Sequence, residues 1–465
     1  MPPPGSTGAA SSCRVSPYHP TKEAPVSESS VFRRHSSAPH PEIIRGEGVY
    51  LYDSDGRRYI DASGGALVVS VGHGVAEIAD AAREQTGRLA YVHGSEFTSP
   101  TVEALAREMA RRAPMEDARL FLVSGGSEAT ETAIKLARAV HVARGDRGRY
   151  KVIFRWPSYH GASLGALAVS GRPIMRGPFA PMLPSHPHVP APYPYRCTLK
   201  GCGEQCSLAC AEELDATIRR EGPGTVAAFI AEPVVGASAG GVVPPPGYYQ
   251  TVREICDRHG VLFIADEVMS GVGRTGRWFG IEHWPGVSPD IITCGKGVTS
   301  GYIPGGAVLA RGRLADEVNG RGAFPHGFTY SHHPVVAAVG LAVLRYVERH
   351  GLVAKAEAAG VHLMKRLGGL LDLPAVGEVR GLGLLTAVEI VADRKTRASY
   401  PSSEATAERI QAEAMRRGVV VYASGGQDQG AGDLLLVGPP FMITNDQIDE
   451  TVSTLGDAIA AVTRA

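Results

Sequence analysis

The sequence predicts an α/β protein: a large domain with a mostly parallel central sheet covered by helices, joined to a smaller, discontinuous α+β domain. Three observations carry this. Short apolar runs recur at RLFLV (119–123), KVIFR (151–155), VAAFIA (226–231), VLFIA (261–265), DIITC (290–294) and GAVLA (306–310). They are too short for helices, rich in Val and Ile, and lack the polar alternation of a half-exposed strand, which is the pattern of strands buried on both faces. Helical stretches separate them, and after about His333 the order changes to helices with a strand pair.

The chain of 465 residues is long enough for more than one domain, and an apolar fraction of 44% supports a substantial interior. With 47 basic and 47 acidic residues the formal charge is zero, which gives no electrostatic footprint for nucleic acid or an anionic membrane. No stretch reaches the apolar length of a membrane span. The start, MPPPGSTGAASS, has neither the basic residues nor the apolar core of a secretory signal, so the expectation is a cytoplasmic protein. Seven cysteines in this length do not suggest a disulfide scaffold. The 57 Gly and 33 Pro suit tight loops and phosphate-facing turns.

Taken in order, residues 1–30 are rich in Pro, Ser and small polar residues, cannot bury enough surface to offset ordering entropy, and read as a disordered tail. Residues 31–75 read as the N-terminal part of the small domain. Order begins near Ile43, and GVYLYDSDGRRYIDA (48–62) reads as two short strands around an Asp-Gly turn. The alternating block, 76–332, forms the large domain. Residues 333–465 complete the small domain, with helices over 334–350, 353–373, 403–417 and 445–462 and a strand pair near 378–390.

Ligands of open α/β sheets sit beyond the carboxyl ends of the strands, so the residues that follow each run are the candidates. After RLFLV, Ser124, Gly125, Gly126 and Ser127 open a helix that runs through Arg144. Free amides at a helix N-terminus suit a phosphate, and glycine lets the backbone approach it; taken alone, a Ser-capped turn has the same sequence. After KVIFR, Tyr159 and His160 offer a ring to a planar cofactor, or pack at a domain edge. Glu232 follows VAAFIA, and Asp266 with Glu267 follows VLFIA. A carboxylate there is desolvated and costly unless paired; a protonated heterocycle nitrogen would pair it, as would a helix end or a structural arginine. Lys296 stands between two glycines after DIITC. Partial burial would lower its pKa toward the neutral amine that forms Schiff bases, whereas an exposed loop lysine is the plain alternative. No single element is specific. Together they form the inventory that pyridoxal 5'-phosphate (PLP) requires: a phosphate cradle, a ring stacker, an acid for the pyridine nitrogen and a lysine for the aldehyde.

From about Ile43 to the C-terminus the sequence resembles the class III (omega-type) aminotransferases of PLP fold type I. The resemblance rests on FLVSGGSEATETAIKLAR, SYHG, AEPVVGASAGGVVPPPGYY, LFIADEVMSGVGRTG, CGKGVTSGYIPGGA and HGFTYSHHP. It implies a homodimeric enzyme with shared active sites that moves an amino group from an amine or omega-amino acid to a 2-keto acid in two half-reactions. Racemases, aminomutases and decarboxylases among the relatives use the same cofactor and form the alternative; dependence on a keto acid separates them. Position by position, Lys296 resembles the lysine that binds the cofactor and shuttles the proton, and Asp266 the pyridinium partner. Val268 resembles the residue under the ring, Tyr159 the ring stacker with His160 beside it, and Gly125, Gly126 and Ser127 the phosphate loop. Glu232 matches an active-site acid, and Phe328 and Thr329 the pair that reaches the partner subunit's cofactor phosphate.

The sequence departs from the family in two places. Many relatives carry an arginine before a C-terminal Pro-Pro pair that grips a substrate carboxylate, and the corresponding places here hold Gln429 and Leu436. Leu67, in the segment that lines the pocket of relatives, is aliphatic. The expectation is a pocket that takes amines with apolar or remotely charged chains, with Arg172 or Arg176 serving the acceptor's carboxylate. The second departure is Cys197, Cys202, Cys206 and Cys210, four cysteines in fourteen residues. Paired C-x2-C spacing is absent, and no metal is expected.

Overall fold

The computed structural model describes residues 30–32, 40–197, 199, 206–424 and 433–463. The stretch read as a disordered tail, 1–30, lies outside them except for Ser30. The chain divides into two compact units, Met1–Glu42 and Ile43–Ala465, and the account below concerns the second.

It begins with an antiparallel meander of β1 (Ile43–Glu47), β2 (Tyr50–Asp53) and β3 (Arg58–Asp61). The Asp53 side chain closes the turn expected at Asp-Gly, accepting from the backbone amides of Asp55 and Arg57. The central sheet follows: β4 (Ala118–Val123), β5 (Lys151–Trp156), β6 (His188–Pro190), β7 (Val226–Ala231), β8 (Leu262–Asp266), β9 (Ile291–Cys294) and β10 (Gly306–Arg311), in the order β4-β10-β9-β8-β7-β5-β6. From β9 to β6 all neighbours are parallel, and β10 runs antiparallel to both β4 and β9. The mostly parallel sheet inferred from the apolar runs is therefore present.

The absence of polar alternation has a direct cause. Successive side chains of a strand point to opposite faces, and both faces here are covered. Phe229, Ala231, Phe263, Ala265, Ile292 and Leu309 enter one apolar cluster. Their neighbours Ala228, Ile230, Leu262, Ile264, Ile291 and Val308 enter another, with Ala129, Ala133 and Leu136 of the helix Gly126–Ala143. Asp266 has the parity of Leu262 and Ile264, so it ends β8 on the face covered by that helix, and Glu267 turns away from it.

The C-terminal part holds β11 (Val376–Leu382), β12 (Leu385–Ile390), β13 (Val419–Val420), β14 (Tyr422–Ser424) and β15 (Asp433–Val437). Four of these form an antiparallel sheet in the order β11-β12-β15-β14, while β13 pairs in parallel with β3, setting Val419 opposite Ile60. A third apolar cluster joins Ile60, Val339, Leu363, Val388, Leu435 and Ile448. Strands β6, β13, β14 and β15 are additions to the sequence expectation: His-Val-Pro and Val-Val are too short for a periodicity, and the apolar run DLLLV holds one place of the missing arginine. The helix expected over 353–373 ends at Gly368 and continues as a 3-10 turn, Gly369–Asp372.

One buried arginine fastens these parts behind the strand ends. Arg274, 2% exposed, donates from Nη1 to the carbonyls of Leu384 (3.3 Å) and Pro439 (2.6 Å) and from Nη2 to Val69 O (3.1 Å). Burial holds its pKa down to about 9. The backbone carbonyls of three distant segments compensate the desolvated guanidinium.

Candidate active site

Beyond the carboxyl ends of β5, β7, β8 and β9 lies a cavity of about 180 Å³, lined by Gly126, Ser127, Tyr159, His160, Gly161, Glu232, Ala237, Asp266, Val268, Met269 and Lys296. Most of the residues singled out by their position after a strand thus meet on one wall. Four others do not. Leu67 is 2% exposed and packs into the core against Gly438, so its side chain is spent on packing and does not line the cavity. Thr329 is exposed, and Phe328 packs beside Phe324 and His326 against the core. Gln429 lies outside the described residues.

Asp266 is 3% exposed, and its oxygens are held from three sides. Oδ1 accepts from Val268 N (3.0 Å) and from Thr293 Oγ1 (3.0 Å), the residue in register with it on β9. Oδ2 lies 2.5 Å from His160 Nδ1, whose N–H donates to it. A carboxylate offers about four lone-pair directions, so these three donors compensate its burial and leave one direction into the cavity. His160, expected to touch the cofactor, lines the cavity and turns its Nδ1 to Asp266, while its buried Nε2 has no protein partner. Its backbone is fixed as well: N donated to Ser170 Oγ, and O accepting from Thr130 Oγ1.

Lys296 follows β9 with a φ of 40°, in the left-handed region where a non-glycine residue is strained. The turn Lys296–Val298 is closed by Val298 N to Gly295 O (2.9 Å) and Ser300 N to Lys296 O (2.9 Å). Burial lowers the ammonium's pKa to about 8; Asp266 and Glu232 oppose the shift, and Arg274 and Arg172 reinforce it.

The helix Gly126–Ala143 opens with no side-chain cap, leaving its first amides unclaimed. A Cβ on Gly125 would meet nothing within 4 Å, so there is room in front of this end. A Cβ on Gly126 would stand 2.9 Å from Val268 Cγ1, and one on Gly295 3.2 Å from the same atom. Glycine at both positions is what lets Val268 seat itself on the cavity floor. Ser127 Oγ accepts from Ala162 N (3.0 Å) and keeps its proton to donate. Glu232, 5% exposed, accepts from Gly236 N at Oε1 (3.1 Å), while buried Oε2 has no partner and burial raises its pKa.

Sequence reasoning missed the supports. Arg155, wholly buried in β5, donates to the Glu232 carbonyl and to Tyr249 Oη (3.1 Å); an arginine inside an otherwise apolar run was the available signal. Glu267 is not part of the cavity. Its carboxylate accepts from Ser270 Oγ (2.5 Å) and from the amides of Gly280 and Ile281 (both 2.8 Å), and burial lifts its pKa to about 7. Arg176 is committed elsewhere, with Nη1 donating to the carbonyls of Leu167, Ala168 and Ser170. Of the cysteine cluster, Cys210 is buried, Cys197 half-buried and Cys206 exposed, while Cys202 lies outside the described residues. Among the described residues no group of three or more His, Cys, Asp or Glu could hold a metal ion, and no helix is long and apolar enough to cross a membrane.

These residues fit PLP. The uncapped helix end with room before it suits a phosphate, the open direction on Asp266 suits a ring N–H, and a lysine of lowered pKa suits an aldehyde. Comparison with known proteins leads to the same place. The family described as Aminotransferase class-III matches residues 31–459. The uncharacterized aminotransferase YodT of Bacillus subtilis is 40% identical over 92% of this chain and 96% of its own. A putrescine--pyruvate aminotransferase of Pseudomonas aeruginosa is 37% identical over 88% of each chain. The crystal structure of the omega transaminase from Pseudomonas jessenii in complex with PMP superposes with a TM-score of 0.86 at 33% identity, covering 93% of this chain and 97% of that one.

The state of Lys296 can be read by pH. An amine whose pKa is lowered is neutral above about 8 instead of above 10.5. Covalent PLP uptake by cofactor-free protein, trapped with borohydride, should rise about tenfold per pH unit below pH 7 and level off above about 8. A rate still climbing tenfold per unit at pH 9.5 would show that burial does not set this group.

Proposed function

Since the chain belongs to the class-III aminotransferase family and is a PLP-dependent transaminase of fold type I, moving an amino group from a donor amine to a keto acid, we propose that Lys296, Asp266 and the Gly125–Ser127 turn perform this chemistry on an amine or omega-amino acid donor. The observation that carries the reading is the convergence of all three in one cavity with Asp266 open in a single direction.

When bound, PLP supplies an aldehyde for amine exchange and a ring that takes up the electron pair released at the substrate carbon. The protein supplies the rest. Lys296 Nζ would hold the aldehyde carbon and, once displaced by the donor, carry the proton to and from the reacting carbon. Asp266 would keep the ring nitrogen protonated, with His160 and Thr293 as positioning residues for its two oxygens. Tyr159 and Val268 would confine the ring, and the amides of Gly125, Gly126 and Ser127 with the Ser127 hydroxyl would anchor the phosphate. Glu232 Oε2, buried without a partner, would favour a cationic group nearby, which supports a donor with a second, remote charge. The putrescine--pyruvate aminotransferase among the relatives is consistent with this class.

Lys296→Ala should reduce transamination to background and remove the borohydride-fixed cofactor, while the parent enzyme converts a primary amine, a diamine or an omega-amino acid with pyruvate as acceptor. A cofactor fixed on another lysine, or turnover confined to α-amino acid donors, would contradict the reading.

We also propose a homodimer in which Phe328 and Thr329 complete the partner's phosphate site. Support comes from their place outside this chain's own cavity, on a loop where Thr329 and Tyr330 are exposed and Thr329 O accepts from Tyr91 Oη (2.7 Å). Thr329→Ala should raise the Kd for PLP several-fold, by equilibrium dialysis of dimer confirmed in sedimentation. A fully active monomer would rule the arrangement out.

A further inference from the structure

The two half-reactions make opposite demands on one cavity. The amine donor brings no carboxylate to its reacting carbon, whereas the keto acid does, and a carboxylate desolvated without a cation is strongly disfavoured. Which group meets it follows by elimination. The segment 425–432 reads GGQDQGAG and holds no lysine or arginine. Leu436 is 0% exposed and paired in β15 with Ala387 and Tyr422. Two arginines act on the charge of Lys296, Arg274 and Arg172. Arg274 is buried and spent on three backbone carbonyls, and Arg176, the other candidate from the sequence, gives Nη1 to three more and lies over the Phe154 and Trp156 rings, neither of which lines the cavity.

Arg172 differs from both. Its guanidinium lies 5.7 Å from the centre of the Tyr159 ring. Nη2 donates to Ser424 Oγ (3.0 Å), which in turn donates to Ala237 O (2.7 Å). Tyr159 and Ala237 both line the cavity. Nε is buried with no partner. A guanidinium carries five N–H groups, so the one side-chain bond to Ser424 leaves donors with which it can take a carboxylate.

Resting on the transaminase reading above, we infer that Arg172, held over Tyr159 and tethered to Ser424, binds the carboxylate of the keto-acid acceptor, replacing a cation from the C-terminal sheet. The same contact holds the carboxylate of the amino acid product as it leaves. During the donor half-reaction the guanidinium stays with Ser424 and Tyr159, so the donor's chain meets Met269 and Ala237, with Glu232 for a remote cationic group.

The test compares two acceptors that differ in the carboxylate, pyruvate and propanal, with one primary amine donor. For Arg172→Met, which keeps an unbranched stem against Tyr159, the ratio of kcat/KM for pyruvate to that for propanal should fall tenfold or more, mainly through the KM for pyruvate. Arg172→Lys should recover part of it. An unchanged ratio in Arg172→Met, whether because neither acceptor or both acceptors suffer equally, overturns the assignment while leaving the transaminase reading intact. A parent enzyme that aminates neither acceptor overturns both.

Discussion

Asp266 sets a carboxylate at the end of a strand that is buried along its whole length, and the surrounding structure answers that placement. An unpaired carboxylate here would be strongly disfavoured, so β9 supplies Thr293 in register, the turn after β8 supplies the amide of Val268, and the loop after β5 supplies His160. The same three contacts leave one lone pair of a carboxylate that lines the cavity. A ring nitrogen docked there would meet a fixed anion and not a mobile one, and that fixity is what electrostatic catalysis depends on.

The parallel topology makes the convergence possible. Because β5, β7, β8 and β9 run the same way, their following residues, Tyr159, Glu232, Asp266 and Lys296, arrive at one edge although they span well over a hundred positions in sequence. β10 runs the other way and places Gly306 beside Val123, so β4 also delivers its glycine turn to this edge. Arg274 then ties the segments around Val69, Leu384 and Pro439 together through their carbonyls.

Much of this was legible in the sequence because burial on both faces leaves a plain signature. VAAFIA is a strand over the same residues, Val226–Ala231, and Ser127, Tyr159, Glu232, Asp266 and Lys296, singled out by their place after the runs, line the cavity. What escaped was tertiary. That His160 serves Asp266, that Glu267 faces the opposite side and closes the turn to Ile281, and that Leu67 is core all depend on which way a side chain turns after its strand, which spacing alone does not encode. The choice between Arg172 and Arg176 was open for the same reason. Two arginines four residues apart look alike until one is seen bonded to three carbonyls and the other set beside Tyr159 with a bond to Ser424.

The central claim is that the charge of Asp266, and not its shape, drives the chemistry. Asp266→Asn keeps the size, lets the amide oxygen accept from Val268 N and Thr293 Oγ1, and removes the charge; His160 meets the amide nitrogen in its other tautomer, with Nδ1 accepting. The PLP-loaded variant, mixed with a primary amine donor in a single-turnover experiment, therefore reads the loss of the charge. The account predicts a half-reaction slower by about two orders of magnitude or more, with the cofactor still bound. A half-reaction at the parent rate in that variant would contradict it.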